Sequence, residues 1–239
     1  MIRGHKRKDS EMTYRVVEIF DSIDGEGIRT GLPVSFIRLA GCNLRCSYCD
    51  TLYALYGEQE PCRCTELTAA EILERVNPSY RRITLTGGEP LIAPGVAELV
   101  ALLLQEGYEV NIETNGAAPI LPFEEQLKSR ENLFYTMDYK LPSSGMEEHM
   151  LWENFLRLEK RDVLKLVVGS ERDTKVMMEV VRRLSEEKGF LPQIFIGAVY
   201  GAYDAKKLVE LILSEPLLSD ARFQVQLHKI IWDPNERGV

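Results

Sequence analysis

Short apolar runs alternate with longer segments of helical period along most of the chain. The runs have the length and composition of buried strands, and the segments between them repeat apolar residues every three or four positions. The predicted strands span residues 33–40, 82–86, 109–113, 133–138, 163–168 and 194–199. The predicted helices span residues 68–76, 95–106, 123–128, 147–158, 173–188 and 204–214.

Six strand–helix units in one series predict a parallel sheet, because parallel neighbours need a helical crossover. The pattern fits a doubly wound sheet and an open barrel equally well. Thr68 with Glu71 three residues later has the form of a capping box, which places a helix start at this point. In either architecture the ligand site lies at the carboxyl ends of the strands.

Residues 1–239 are expected to form one domain. Residues 1–13 are polar and charged, and we expect them to form a flexible tail. The glycine-rich segment 18–27 is expected to be a close-packed loop before the first strand. Residues 226–232 alternate polar and apolar side chains, which predicts a last strand.

Composition narrows the class of protein. Hydrophobic residues make up 45% and charged residues 28% of the 239 residues, as in an ordinary globular protein. A net charge of −8 argues against a general nucleic-acid binder, which would usually have a basic surface. The chain has no apolar run long enough for a membrane span and no signal-peptide pattern, so we expect a cytoplasmic location.

The five cysteines lie between Cys42 and Cys64. A tight cluster of this kind favours a metal site over a disulfide framework. Cys42, Cys46 and Cys49 have the spacing C-x3-C-x2-C on one loop, and three thiolates can ligate three irons of a [4Fe–4S] cluster. The alternative is a structural zinc site in an interaction module, with Cys62 or Cys64 as the fourth ligand. Otherwise these two are interpreted as free surface thiols.

Other polar residues follow the predicted strands and complete a candidate site. Gly87 and Gly88 allow close approach of a ligand to the backbone, and Glu89 can accept hydrogen bonds from an ammonium group. Glu113, Asp138, Tyr139 and Lys140 lie at the ends of the next two strands. On this pattern alone, Lys140 is as well explained by an ordinary surface position.

The cysteine loop carries a more specific signal. C-x3-C-x-aromatic-C, with Tyr48 as the aromatic residue, resembles the signature of the radical S-adenosylmethionine superfamily. The chain also contains E-I-F-x-S-I-x-G-E-G from Glu18, T-G-G-E-P from Thr86, Q-L-H-K from Gln226 and a terminal W-x-x-N-x-R-G-V. Together, in this order, these segments resemble the 7-carboxy-7-deazaguanine synthase family over nearly the whole chain.

The resemblance implies an α/β fold of the radical S-adenosylmethionine type, an incomplete (β/α)6 TIM-like barrel. It implies a ring contraction of 6-carboxy-5,6,7,8-tetrahydropterin to 7-carboxy-7-deazaguanine with loss of ammonia, a carbon–nitrogen lyase reaction in queuosine and deazapurine biosynthesis. The implied cofactors are a [4Fe–4S] cluster, S-adenosylmethionine and Mg²⁺. The implied partners are a small-molecule substrate, an electron donor such as flavodoxin or ferredoxin, and a second copy of the chain in a homodimer.

The resemblance also assigns residues to roles. The cluster is expected on the three cysteines named above and Mg²⁺ on Thr51. The residues expected to bind S-adenosylmethionine are Tyr48, Asp50, Gly87, Gly88, Glu89, Glu113, Asp138, Tyr139 and Lys140. Those expected to bind the substrate are Ile23, Asp24, Gly25, Glu26, Arg38, Thr86, His228 and Val239, with Arg38 as partner of the substrate carboxylate.

Two departures from the family pattern are present. The family usually carries Gln where this chain has Asp24, and an ionised Asp accepts hydrogen bonds but does not donate them. Asp138 and Tyr139 replace the Ser-Pro that commonly precedes the lysine. The alternative enzyme is a glycyl-radical enzyme activating enzyme, which has a similar cysteine loop and a related N-terminal segment but acts on a protein backbone.

Overall fold

The computed structural model describes residues 12–55, 63–233 and 236–239. Most of the predicted tail, together with Cys62, lies outside the described residues. Thr13, the last residue of the predicted tail, is the first residue of a strand. Within the described residues, no helix is both long enough and apolar enough to cross a membrane.

The chain folds into strands joined mainly by helices. The strands are β1 (Thr13–Ile23), β2 (Pro33–Leu39), β3 (Thr65–Thr68), β4 (Arg82–Gly87), β5 (Glu109–Thr114), β6 (Leu133–Tyr139), β7 (Val163–Val168), β8 (Gln193–Ala198) and β9 (Arg222–Phe223). The α-helices are α1 (Ala69–Leu73), α2 (Val96–Gln105), α3 (Leu121–Glu124), α4 (Trp152–Arg157), α5 (Glu171–Lys188), α6 (Ala205–Ser214) and α7 (His228–Ile231).

These strands form one sheet in the order β3-β1-β2-β4-β5-β6-β7-β8-β9. From β2 to β9 all neighbours are parallel, whereas β1 is antiparallel to both β2 and β3. In the described residues β3 and β9 are the two edges of the sheet, so the barrel is incomplete. The expected series of six strand–helix units is confirmed, and each of the six strands in these units lies within one or two residues of its predicted bounds.

Alternating side chains give the sheet its two faces. On β6, Tyr135 and Met137 are at most 1% exposed and belong to the apolar core between sheet and helices. Thr136 and Asp138 point to the opposite face, because successive strand residues alternate. The same alternation on neighbouring strands lines the concave face with polar groups, and these groups build the site.

The segment of residues 18–27, expected to be a loop, is largely strand. Residues up to Ile23 belong to β1, which pairs with β2 in a register that places Glu18 opposite Arg38. The strand was missed because residues 18–24 mix acidic and apolar side chains without strict alternation. A loop begins only at Asp24, followed by one 3-10 turn over Gly27–Arg29.

The helices begin close to the predicted positions, with three differences. The capping box is confirmed: Glu71 N donates to the Thr68 side chain and Thr68 N donates to the Glu71 side chain. The helix predicted at residues 123–128 begins earlier, at Leu121. The one predicted at 147–158 is divided into a 3-10 turn over Glu147–His149 and the helix α4. Residues 226–232 contain the short helix α7, so the predicted last strand is wrong.

Candidate active site

A cavity of about 720 Å³ opens at the carboxyl ends of the parallel strands. It is lined by eighteen of the residues expected in the site. These are Ile23, Gly25, Glu26, Arg38, Cys42, Cys46, Tyr48, Cys49, Asp50, Thr51, Thr86, Gly87, Gly88, Glu113, Asp138, Lys140, His228 and Val239. Asp24, Glu89 and Tyr139 do not line it.

The three cysteines of the C-x3-C-x2-C loop are free thiols that are partly exposed to the cavity. Burial raises the pKa of the Cys42 and Cys46 thiols. Within the described residues, no three Cys, His, Asp or Glu side chains are grouped to hold a single metal ion. The donor set instead fits a larger group, since three thiols from one loop line the same cavity and thiolates are the usual ligands of an iron–sulfur cluster.

Gly87 and Gly88 allow the cysteine loop to pack onto the end of β4. A Cβ atom at Gly88 would lie 2.2 Å from the Gly41 carbonyl oxygen and 2.7 Å from Cβ of Cys42. At Gly87 it would lie 2.3 Å from the Leu39 carbonyl oxygen. These distances leave no room for a side chain, so both glycines are needed for the position of the loop.

Glu89, which was expected to bind a ligand amine, lies behind the cavity wall and does not line it. It is 1% exposed, and its carboxylate accepts hydrogen bonds from Leu91 N, from Thr114 Oγ1 and from Asn115 N. Burial raises its pKa to about 7. In the structure Glu89 therefore fastens the end of β4 to the end of β5, because backbone N–H groups occupy its oxygens.

Asn115 was not predicted as a site residue. Its side-chain amide donates to Asn43 Oδ1 at 2.8 Å and lies 3.7 Å from the Cys42 sulfur. The sequence signal was its place directly after β5, beside the residues that were singled out. Asn115 connects the end of this strand to the cysteine loop.

The end of β6 contributes two charged groups to the cavity. Lys140 Nζ lies 3.1 Å from Asp138 Oδ2. Burial alone would lower the pKa of Lys140, but Asp138 outweighs this effect and raises it. Tyr139, which was expected to bind S-adenosylmethionine, does not line the cavity, because strand alternation turns its ring toward Phe155 of α4.

Lys165 is the second functional residue that the sequence did not indicate. It lies on β7, lines the cavity, forms a short ion pair with Glu26 and lies 3.8 Å from Asp138. Burial opposes its charge, but Asp138, Glu26 and Glu113 together raise its pKa well above the ordinary value. Lys165 was hidden in a strand that reads as apolar, since V-L-K-L-V-V has one charged residue.

Asp24 lies beneath the cavity and is 1% exposed. Its Oδ2 accepts a hydrogen bond from Thr84 at 3.0 Å, and its Oδ1 has no partner. Burial, together with the nearby Glu113 carboxyl group, raises the pKa of Asp24 to about 7. Glu113 is also raised in pKa, chiefly by burial, although Lys165 opposes the shift.

Arg38 faces the cavity from β2. Its guanidinium forms an ion pair with Glu18 at 2.7 Å, and Tyr53 donates to the same carboxylate at 3.0 Å. The rings of Phe20 and Tyr53 lie 5.9 and 5.8 Å from its guanidinium carbon. Glu18, which lies opposite Arg38 on the neighbouring strand, therefore orients the Arg38 guanidinium, and this side chain does not simply extend into solvent.

Asp50 and Thr51 follow the third cysteine and connect it to the C-terminal region. Thr51 Oγ1 lies 2.9 Å from Asp50 Oδ1, and Lys229 Nζ lies 3.1 Å from Asp50 Oδ2. Thr51 precedes a 3-10 turn but its side chain makes no capping hydrogen bond to that turn. Its hydroxyl is therefore directed to Asp50 and the cavity wall.

The C-terminal segment closes one side of the cavity. His228 begins α7 and packs beside Gly25, where a Cβ atom would lie 3.4 Å from His228 Nδ1. Burial lowers the pKa of His228. Val239 also lines the cavity, and the guanidinium carbon of Arg237 lies 3.9 Å from the ring centre of Tyr53.

Comparison with known proteins agrees with this geometry. Residues 36–132 match the radical SAM superfamily. A 7-carboxy-7-deazaguanine synthase from Clostridium acetobutylicum is 42% identical over 230 residues, which cover 95% of this chain and all of that protein. The chain belongs to the 7-carboxy-7-deazaguanine synthase family. Synthases from Methanospirillum hungatei and Chlorobaculum tepidum are 39% and 36% identical and cover 97% and 96% of this chain, which spans 91% and 99% of theirs.

Solved structures agree on the fold. The crystal structure of QueE from Escherichia coli superposes with a TM-score of 0.69, covering 88% of this chain and 92% of that one at 24% identity. Streptococcus suis SuiB bound to S-adenosylmethionine superposes with a TM-score of 0.53 at 14% identity, covering 77% of this chain and 47% of that one. Both likenesses concern architecture, and they confirm the partial barrel.

Proposed function

We propose that the chain is a 7-carboxy-7-deazaguanine synthase that converts 6-carboxy-5,6,7,8-tetrahydropterin to 7-carboxy-7-deazaguanine and ammonia. The observation that carries the proposal is the shared cavity. The three free thiols line it together with Glu26, Arg38, Thr86 and His228, the residues expected at a pterin. Family membership supports the same reaction, since the full-length relatives bear this name.

Cys42, Cys46 and Cys49 would hold a [4Fe–4S] cluster, and the rim formed by Tyr48, Gly87 and Gly88 would hold S-adenosylmethionine beside it. When bound, this pair supplies the one-electron chemistry that generates a 5′-deoxyadenosyl radical. Lys140 and Asp138 lie on the adjacent wall, where they can bind the polar groups of the adenosyl and methionyl parts. Glu89 supports this rim from behind through its hydrogen bonds to β5.

Substrate recognition is assigned to the opposite wall. Glu26 presents a carboxylate oxygen that has no hydrogen-bond partner, and such an oxygen suits the N–H groups of a pterin ring. Arg38 offers a guanidinium to the substrate carboxylate, as a planar fork that binds carboxylates bidentately. His228 and the end of the chain at Val239 cover the ring from the C-terminal side. These groups orient the substrate and exclude water.

Mg²⁺ is proposed at Thr51, between the protein and the substrate carboxylate. The Thr51 hydroxyl and the neighbouring Asp50 carboxylate supply oxygen ligands, which a hard cation prefers. The remaining ligands would come from substrate and water, as is usual for Mg²⁺ at a substrate site.

Four further properties belong to the same proposal. The reaction breaks a carbon–nitrogen bond and is classed as that of a lyase. An electron donor such as flavodoxin or ferredoxin would reduce the cluster. The active species would be a homodimer, and the enzyme would work in the cytoplasm. Light scattering during size-exclusion chromatography tests the dimer, and a dimer would give about twice the 27.3 kDa mass of the chain.

Anaerobic turnover tests the reaction. The chain is reconstituted with iron and sulfide and given S-adenosylmethionine, a reductant, Mg²⁺ and 6-carboxytetrahydropterin, and the product is identified by mass spectrometry. We expect 7-carboxy-7-deazaguanine, and we expect none from Cys46→Ala. Release of 5′-deoxyadenosine without this product would keep the radical chemistry and refute the pterin substrate. The relatives found by comparison do not favour a glycyl-radical activating enzyme.

A further inference from the structure

A chain of hydrogen bonds joins the first turn of α5 to the cysteine loop. It begins at Asp173, a fully buried residue of α5 that does not line the cavity. One carboxylate oxygen accepts from Ser143 N at 2.9 Å. The other accepts from Gly169 N at 2.7 Å and forms a short hydrogen bond with Ser143 Oγ. Asp173 therefore fixes the turn Pro142–Ser144, which follows β6.

The same turn holds the cysteine loop. Ser47, between the second and third cysteines, donates from its backbone N to the Ser144 carbonyl oxygen at 3.0 Å. Its hydroxyl donates to the Ser143 carbonyl oxygen at 2.6 Å. One of the two hydrogen bonds from this loop residue thus ends on Ser143, which Asp173 holds directly, and the other ends on Ser144, the next residue of the same turn. On the other side of the turn, Gly169 leaves no space, since a Cβ atom there would lie 2.6 Å from Ser143 Oγ.

We infer that Asp173 is a positioning residue for the iron–sulfur cluster, acting through Ser143 and Ser47 on the loop that carries the three cysteines. The inference rests on the proposed cluster. Residues behind metal ligands orient them, and their loss weakens metal retention. A carboxylate in the first turn of a helix also stabilises that helix, so the helix start alone would account for a carboxylate at this position. A residue that positions the cysteine loop and a residue that only stabilises the start of α5 predict different results for cluster retention.

A second buried aspartate provides a matched control. Asp162 lies at the opposite end of β7, is fully buried, and accepts from the backbone N of Tyr135 at 3.1 Å and of Glu159 at 2.7 Å. It has no hydrogen bond to the turn or to the cysteine loop among the bonds of the described residues. Asp162→Asn and Asp173→Asn each place an amide donor against a backbone N–H, so both are expected to lower the stability of the fold. Asp162→Asn also removes the charge that pairs with Arg130 at 3.1 Å, so its fall in stability should be at least as large.

The experiment measures cluster retention and folding stability separately. Wild type, Asp173→Asn, Asp162→Asn and Ser47→Ala are reconstituted anaerobically, and iron and sulfide per chain are determined. The loss of visible cluster absorbance is then followed after addition of an iron chelator. Urea unfolding of the same preparations gives the stability. Ser47→Ala keeps the start of α5 intact and removes only one hydrogen bond to the turn, so it reports on the loop even where Asp173→Asn folds poorly.

We expect Asp173→Asn to lose its cluster about tenfold faster than wild type, with Ser47→Ala changed in the same direction. Asp162→Asn should lose it at the wild-type rate despite a comparable fall in stability. Equal retention in Asp173→Asn, Ser47→Ala and wild type would overturn the inference and leave Asp173 a helix-stabilising residue. A wild-type chain that takes up no iron and sulfide would refute the proposed cluster, and the inference with it.

Discussion

Lys165 of β7 forms an ion pair with Glu26, which lies in the loop after β1. Four strands separate β1 from β7 in the sheet, and the two side chains meet in the cavity. The same ammonium lies 3.8 Å from Asp138 of β6. Glu26 is expected at the substrate and Asp138 at S-adenosylmethionine, so one cation connects the two halves of the proposed site. Since the side chain of Lys165 is only 12% exposed, this cation acts where solvent screens little.

Replacing Lys165 by Met is expected to impair both halves of the site. The change leaves Glu26 without its cation and Asp138 with Lys140 as its remaining ion-pair partner. Breaking a buried pair costs about 3–5 kcal/mol. We expect kcat/KM for the pterin to fall at least about a hundredfold, on the scale of tenfold per 1.4 kcal/mol. The affinity for S-adenosylmethionine, measured by equilibrium dialysis, should fall as well.

Lys207→Met is the matched control for this experiment. Lys207 is 61% exposed and lies 3.8 Å from Glu171 on the surface, where an ion pair contributes little. It should leave kcat/KM unchanged. A Lys165→Met enzyme with unchanged binding of both ligands would show that the ion pair does not organise the site.

Gly88→Ala tests whether the cysteine loop depends on its close contact with β4. An alanine Cβ would overlap the Gly41 carbonyl and Cys42, so the loop has to move away. We expect the variant to fold but to bind less than half the iron and sulfide of wild type. Gly197→Ala is the control, because its added Cβ would lie 3.2 Å from the Gln224 carbonyl oxygen and 3.8 Å from Gln224 Cγ, so a small shift accommodates it. Full cluster content in Gly88→Ala would contradict the packing argument.

Much of the fold followed from the sequence because its parallel strands are buried on both faces. Such strands read as apolar runs, and their bounds were found within one or two residues. β1 was not found, since it is partly exposed and its polar residues break the alternation. Lys165 and Asp173 were not found for a different reason. Their roles depend on contacts with residues 139 and 30 positions away, which no local pattern contains.

The motif residues also show that a local sequence pattern does not predict the contacts of a side chain. The T-G-G-E-P segment indicated its place at the end of β4. It did not indicate that the Glu89 oxygens accept hydrogen bonds from the Thr114 hydroxyl and from Asn115 N at the end of β5. Tyr139 was grouped with its neighbours by adjacency, while strand alternation turns it to the other face. Sequence position therefore predicted which loops form the site better than which side chains enter it.

Thr51→Val tests the proposed Mg²⁺ site. The substitution keeps the shape of the side chain and removes its hydroxyl, which now lies 2.9 Å from Asp50. We expect the activation by Mg²⁺ to be lost or to require about tenfold more of the metal. The measurement is initial rate against Mg²⁺ concentration. Thr174→Val, on the exposed surface of α5, is the control, and its activation curve should match that of wild type. An unchanged curve for Thr51→Val would place the metal elsewhere.

Asp24 is expected to make folding stability depend on pH. Its pKa in the folded chain, raised by burial to about 7, lies above the ordinary value near 4 that it regains on unfolding. Between these values the folded chain binds more protons than the unfolded chain, so stability falls as pH rises. The contribution is fully present below about pH 4 and is lost as pH passes about 7. Glu113 and Glu89, whose pKa values are also raised, act in the same direction.

Asp24→Asn isolates the contribution of the Asp24 carboxyl group to the pH dependence of folding stability. The neutral amide fits the same space and cannot ionise, so the variant should lose less stability than wild type between pH 5 and pH 8. We expect a difference on the order of 2 kcal/mol across this range. Urea unfolding at several pH values measures it, with Asp220→Asn, an exposed surface change, as the control that should follow wild type. Parallel pH profiles for Asp24→Asn and wild type would mean that Asp24 is ionised throughout, with its charge balanced inside the fold.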